Sequence, residues 1–218
     1  TLPDYQTQCG CTDIMMHTME RYFNMSEDME LTDGISEALI KTVMKHSKIL
    51  KEHPDCYESR AEVMWASSLS HNGLTGCGTD GGDWACHQLE HEIGGMFDVA
   101  HGAGLAAVWG SWARYVYKAR PERFAKFARN IFDIQETDDE KAAVAGIEAM
   151  ESYYRSVGMP TSLCELGIHA TEEQIKEMAD KCSFYGKRTV GVMKKIGASE
   201  AAEIYRMAND KSIPLYSR

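Results

Sequence analysis

The chain has 218 residues, 44% of them hydrophobic, and a formal net charge of −10. This length and apolar content suffice for a buried core, and the acidic excess argues against a surface that binds nucleic acid or anionic membranes. No apolar run approaches the ~20 residues that span a bilayer, and the N-terminal segment lacks the features of a signal peptide.

The periodicity of apolar residues is helical along nearly the whole chain. The first helical segment, residues 9–23, is followed by others with boundary signals at 31–54, 56–73, 82–97, 102–119, 121–134, 138–158, 171–186 and 198–210. Strand signals are confined to the short candidate at 187–194. We therefore predict a single all-α domain over residues 1–218.

Several local signals set the expected boundaries of these helices. Asp83 is the expected N-cap of the segment that follows it, and Pro121 suits a first-turn position. Thr171 and Gln174 have the spacing of a capping box. The pair Gly94–Gly95 is expected to loosen or end its helix, and the glycine-rich stretch 72–82 before that helix is where an active-site loop would lie.

Histidines and one aspartate recur at helical spacing. Asp13 and His17 are four positions apart, as are His87 and His91, so each pair shares a helix face. His101 is expected near the start of the following helix, after a turn that returns the chain towards His87. These nitrogen and oxygen donors suit Fe(II), Zn(II), Mn(II) or Co(II).

Each pair also has an ordinary interpretation. An isolated aspartate–histidine pair at this spacing is most often a surface or capping feature, and a histidine pair alone is weak evidence of a metal. The remaining histidines have no partner at ligand spacing and are expected to be ordinary residues: His46, His53, His71 and His169.

The segments "PDYQTQCGCTDIMMHTMERYF" and "GDWACHQLEHEIGGMFDVAHGAGLA" resemble the metal-binding half of the iron-containing (group III) alcohol dehydrogenases, in particular the butanol dehydrogenase branch. The family pattern of one aspartate and four histidines, the last of them followed by glycine, matches at full spacing in Asp13, His17, His87, His91, His101 and Gly102. By this resemblance Asp13, His17, His87 and His101 are the metal ligands. The middle histidine, His91, is implied to face nicotinamide and substrate and to handle a proton.

The resemblance also implies an activity and its cofactors. It implies reversible hydride transfer between a small-molecule alcohol or aldehyde and NAD or NADP, with Fe(II) at the metal site and Zn(II) as a possible substitute. Members of the family place an α/β nucleotide-binding domain before the helical domain, and full-length members are expected to be homo-oligomers. These 218 residues contain no glycine-rich nucleotide-binding turn, so we expect a fragment that is inactive alone.

Two other functions remain as alternatives. A metal-dependent hydrolase would need a carboxylate base beside the metal, and Glu90 and Glu92 are expected on other helix faces. A non-catalytic helical interaction module would bind no stoichiometric metal. The seven cysteines lack the spacing of a disulfide framework, which favours reduced thiols and a cytoplasmic location.

Overall fold

The computed structural model describes residues 2–27 and 29–210, and the ends of the predicted domain at residue 1 and residues 211–218 lie outside them. The described residues form nine α-helices: α1 (Asp4–Tyr22), α2 (Glu30–Glu52), α3 (Tyr57–His71), α4 (Ala85–Phe97), α5 (His101–Val116), α6 (Pro121–Phe132), α7 (Asp139–Ser156), α8 (Glu172–Cys182) and α9 (Ala198–Asn209). The all-α prediction is confirmed.

Helix α5 lies at the centre of the fold because its sequence is apolar or small on every side. All residues from Gly102 to Ala113 are buried, and Trp109 and Trp112 are fully enclosed. Helices α1, α4, α7 and α9 pack around it. Burial of two tryptophans and the aliphatic side chains between them makes α5 the main hydrophobic element of the core.

The helix boundaries agree with the expected signals at some positions and differ at others. Pro121 begins α6, and Thr171 and Gln174 form the predicted capping box of α8. Two expectations for α4 are wrong. Its N-cap is Trp84, although the Asp83 carboxylate accepts a hydrogen bond from the N–H of Ala85. The glycine pair lies inside α4, which continues to Phe97, since neither glycine adopts a left-handed backbone.

The short strand candidate at 187–194 does not form a strand. Val190 makes one isolated antiparallel bridge with Ile196, and the described residues offer no further strand to extend it. The segment is instead held by Asp83, whose carboxylate accepts hydrogen bonds from the N–H groups of Val192 and Met193 at 2.9 Å each. Burial raises the pKa of Asp83 to about 6.

The state of the cysteines and the length of the helices agree with what the sequence predicts. All seven cysteines are free thiols. Among the described helices, none is long and apolar enough to cross a membrane.

Candidate metal centre

Three helices that are distant in sequence bring the predicted ligands together. Asp13 and His17 project from one face of α1, His87 from the first turn of α4, and His101 is the first residue of α5. The start of α5 approaches α1 closely because Gly102 has no side chain: a Cβ there would lie 2.1 Å from the carbonyl oxygen of Cys9. Gly102 therefore sets the distance between His101 and Asp13.

The Asp13 carboxylate lies at the centre of the histidines. Its Oδ1 atom is 3.1 Å from Nδ1 of His17, 3.5 Å from Nε2 of His87 and 3.5 Å from Nε2 of His101. Ligand atoms of Asp13, His17 and His87 all lie within 4.8 Å of one another. One oxygen and imidazoles from three helices thus face a common point.

The electrostatics of this cluster are strongly coupled. Burial would raise the pKa of Asp13, but the nearby imidazoles of His101, His17 and His87 outweigh it and hold the pKa well below its usual range. The carboxylates of Asp13 and Glu90 raise the pKa of His101 to about 10. Burial opposes a rise at His87, yet Asp13 and Glu20 raise its pKa to about 9. The carboxylates therefore favour positive charge at this point of the fold.

Two atoms at the centre of the cluster are buried without a hydrogen-bond partner, Oδ1 of Asp13 and Nε2 of His87. Such unsatisfied atoms are uncommon in folded proteins because their desolvation is not compensated. A divalent cation would satisfy both. Three imidazole nitrogens and one carboxylate oxygen form a donor set that suits Fe(II) or Zn(II), so the residues present fit such an ion.

His91 lies beside this cluster but differs from its members. Its ring centroid is 6.2 Å from that of His87 and 5.7 Å from that of His101, and its side chain is exposed. The ion pairs of Asp13 involve His17, His71, His87 and His101, and not His91. Partial desolvation of its ring lowers the pKa of His91, which favours the neutral form.

Two carboxylates that contact the cluster were not among the site residues predicted from the sequence. Glu20 pairs with Nδ1 of His87 at 2.5 Å, and Glu90 pairs with Nδ1 of His101. The expectation that Glu90 points away from the site is wrong, because α5 packs on the face of α4 that carries it. The proximity of Glu20 to the cluster could have been predicted, since Glu20 follows His17 by three positions and shares its helix face.

Two aromatic side chains near the site were also missed. His71, expected to be ordinary, packs its ring 4.0 Å from that of His17 and places Nε2 3.9 Å from Oδ2 of Asp13. Trp84 has a left-handed backbone (φ +60°), and its ring lies 5.3 Å from that of His87. Both come from the ends of the 72–82 loop, so no local spacing predicts their approach to α1.

Comparison with known proteins identifies the family. The model for the Fe-containing alcohol dehydrogenase family, C-terminal, matches residues 7–208. This chain belongs to the Fe-containing alcohol dehydrogenase family. Among curated relatives of this family, NADH-dependent butanol dehydrogenase A of Clostridium acetobutylicum is 36% identical over 94% of this chain and 53% of its own length. The NADPH-dependent aldehyde reductase of Escherichia coli is 30% identical over 95% of this chain and 53% of its own length.

Solved structures of the family share the fold. The crystal structure of NADH-dependent butanol dehydrogenase A from Thermotoga maritima superimposes with a TM-score of 0.90 at 36% identity, covering 96% of this chain and 54% of that one. The chain thus spans about half the length of the family members it matches, and it corresponds to their C-terminal half.

Proposed function

We propose that this chain is the metal-binding half of an NAD(P)-dependent alcohol dehydrogenase or aldehyde reductase, in which Asp13, His17, His87 and His101 hold one divalent cation. The observation that carries the proposal is that a single oxygen, Oδ1 of Asp13, lies within 3.5 Å of imidazole nitrogens from three helices. The family supports Fe(II) as the working ion. Zn(II) is the expected substitute, because such sites generally bind zinc more tightly than iron.

When bound, the cation supplies positive charge that polarises the oxygen of an alcohol or carbonyl. The chain's own residues would favour this polarisation in two ways. Asp13 supplies one negative charge and the three imidazoles none when neutral, so half of the divalent ion's charge is retained. The fourfold donor set also leaves room for a substrate oxygen, which a fifth protein ligand would exclude.

His91 is the proposed proton-transfer group. Oxidation of an alcohol to an aldehyde removes a hydride from the carbinol carbon, taken up by NAD(P)⁺, and a proton from the hydroxyl. A neutral imidazole accepts such a proton, and the lowered pKa of His91 keeps it neutral near pH 7. Its exposed side chain can pass the proton on to water. In the reducing direction the same group returns the proton.

The nucleotide is proposed to bind mainly to the N-terminal half that the longer relatives possess. The similar proteins are named as NADH-dependent and as NADPH-dependent enzymes, so both nucleotides are compatible with this half. Small-molecule alcohols or aldehydes are the proposed substrates. We propose that the full-length protein is a homo-oligomer. We also propose that it is cytoplasmic, because seven free thiols are consistent with a reducing compartment.

Metal titration of the 218-residue chain tests the proposal. After loading with Fe(II) without oxygen, or with Zn(II), dialysis and elemental analysis are expected to give one ion per folded chain. NAD(P)-dependent turnover of butanol is expected only when the N-terminal half is supplied, because hydride transfer requires a nicotinamide held next to the substrate. A folded chain without stoichiometric metal would refute the site, and turnover by the chain alone would refute the need for the other half.

A further inference from the structure

Two buried glutamates contact the candidate ligands on the side away from Asp13. Glu20 and Glu90 are each 1% exposed, and each faces Nδ1 of one histidine. The opposite nitrogen, Nε2, of both His87 and His101 lies 3.5 Å from the same oxygen of Asp13. Each imidazole is thus held between a buried carboxylate and the proposed metal position.

Glu20 is fixed in place by α1 and by the segment that leads into α4. Its Oε2 lies 2.5 Å from Nδ1 of His87, and its Oε1 accepts a hydrogen bond from the N–H of the same residue at 3.2 Å. The carbonyl oxygen of Glu20 accepts a further bond from the N–H of Asp83. Gly82 allows this approach, because a Cβ there would lie 2.4 Å from that carbonyl oxygen.

Glu90 occupies a slot that two glycines leave open between α4 and α5. A Cβ at Gly104 would lie 2.4 Å from its Oε1, and a Cβ at Gly94 would lie 3.1 Å from the same atom. With any larger residue at position 104, the carboxylate would have to move. The slot thus directs the Glu90 carboxylate at Nδ1 of His101.

A carboxylate beside Nδ1 stabilises the proton on that nitrogen. The lone pair of the neutral ring is then on Nε2, the atom that both histidines turn towards Asp13. We propose that Glu20 and Glu90 are positioning residues that fix the tautomer and orientation of His87 and His101, so that both bind the ion through Nε2. This inference rests on the proposed metal site and adds to it the two groups that orient half of its ligands.

A purely structural role for these glutamates predicts a different result. Buried charged pairs can affect folding without any relation to a ligand. In that case, removal of either glutamate would lower the stability of the metal-free chain but leave the affinity of the folded chain unchanged. Measurements on folded protein, with and without metal, separate the two roles.

The test is a Zn(II) competition titration on folded chains, with a chelator of known affinity. Glu20→Ala and Glu90→Ala are expected to weaken binding by about 10–100-fold. Glu20→Gln and Glu90→Gln are expected to restore part of the loss, because the amide oxygen still accepts a hydrogen bond from Nδ1–H. Glu92→Gln, on the same helix as Glu90, is the matched control and is expected to bind as the wild type does.

Imidazole ¹⁵N chemical shifts provide a readout that requires no variant. In the Zn(II)-loaded wild type, His87 and His101 are expected to be protonated at Nδ1 and coordinated at Nε2. Coordination through Nδ1, or alanine variants that bind Zn(II) within twofold of the wild type, would overturn the positioning role and leave the metal site standing. A wild type without stoichiometric zinc would overturn the proposed function itself, and the positioning role with it.

Discussion

His87 and His91 share a face of α4, yet their surroundings differ. The His87 side chain is almost fully buried and directed at Asp13, whereas His91 is exposed and outside the ion pairs of that carboxylate. Helical spacing places both side chains on one face, but only packing against α1 and α5 separates their roles. A residue facing solvent beside a polar cluster suits proton exchange better than coordination.

His91→Ala, in the full-length enzyme, tests this separation. Metal content is expected to stay at the wild-type level, because four other ligands remain. Turnover is expected to fall by about a hundredfold or more, since a general acid–base group is lost. Elemental analysis and steady-state kinetics measure the two effects, with His53→Ala as the control. Loss of metal in the His91 variant would make His91 a ligand.

Asp33 is a second buried charge, and it is not part of the metal cluster. Arg123 donates two hydrogen bonds to its carboxylate at 2.5 Å each, and Lys126 donates a third at 2.6 Å. Burial would raise the pKa of Asp33, but these hydrogen bonds outweigh it and lower the pKa. The ionised carboxylate therefore links α2 to α6 and stabilises the fold.

Asp33→Asn is expected to lower the free energy of unfolding by about 3–5 kcal/mol at pH 7, because Arg123 is left buried without its counter-charge. A folded-state pKa below the unfolded value of 3.8 gives stability that is present above that pH and lost as the pH falls through the folded pKa. The difference between wild type and variant should therefore shrink in acid. Urea denaturation at several pH values measures it, and Glu177→Gln, in an exposed pair with Lys181, should have little effect at any pH.

At the scale of elements, the position of α5 against α1 depends on Gly102. In Gly102→Ala the new Cβ would meet the backbone of Cys9, which cannot move without shifting α1. We expect a loss of about 1–3 kcal/mol in stability, together with weaker metal binding, because His101 would move away from Asp13. Urea denaturation and Zn(II) titration measure the two losses.

Gly95→Ala is the matched control for this substitution. Gly95 lies within α4, and a Cβ there would meet no atom within 4 Å. Alanine also favours helix over glycine by up to about 1 kcal/mol, so the control is expected to be neutral or slightly stabilising, with unchanged metal affinity. Equal metal binding in the two alanine variants would contradict the claim that Gly102 sets the position of α5 against α1.

At the scale of the whole molecule, the sequence predicted the helices better than their contacts. Helical periodicity and capping signals are local, so α5, α6 and α8 were predictable from the chain itself. The pairing of Glu90 with His101 and the approach of His71 to Asp13 depend on how helices pack, which spacing along one helix does not encode. The proposed ligand set could be selected only because its motif resembles that of a known family.

The proposed metal site is also a whole-molecule feature, since its candidate ligands come from α1, α4 and α5. An ion bound only by the folded chain stabilises that chain in proportion to its affinity. Removing a single ligand should therefore abolish both the binding and this stabilisation. His87 is the most direct choice, because its Nε2 is buried at the centre of the cluster without a hydrogen-bond partner.

The zinc content of His87→Ala after equilibrium dialysis is the decisive test of the proposed metal site, with His53→Ala as the control. His53 ends α2 and is exposed, so its removal should leave the site intact. We expect one ion per chain in the wild type and in the control, and close to none in the His87 variant. A His87→Ala chain that is folded and still holds one zinc ion would contradict the proposed site.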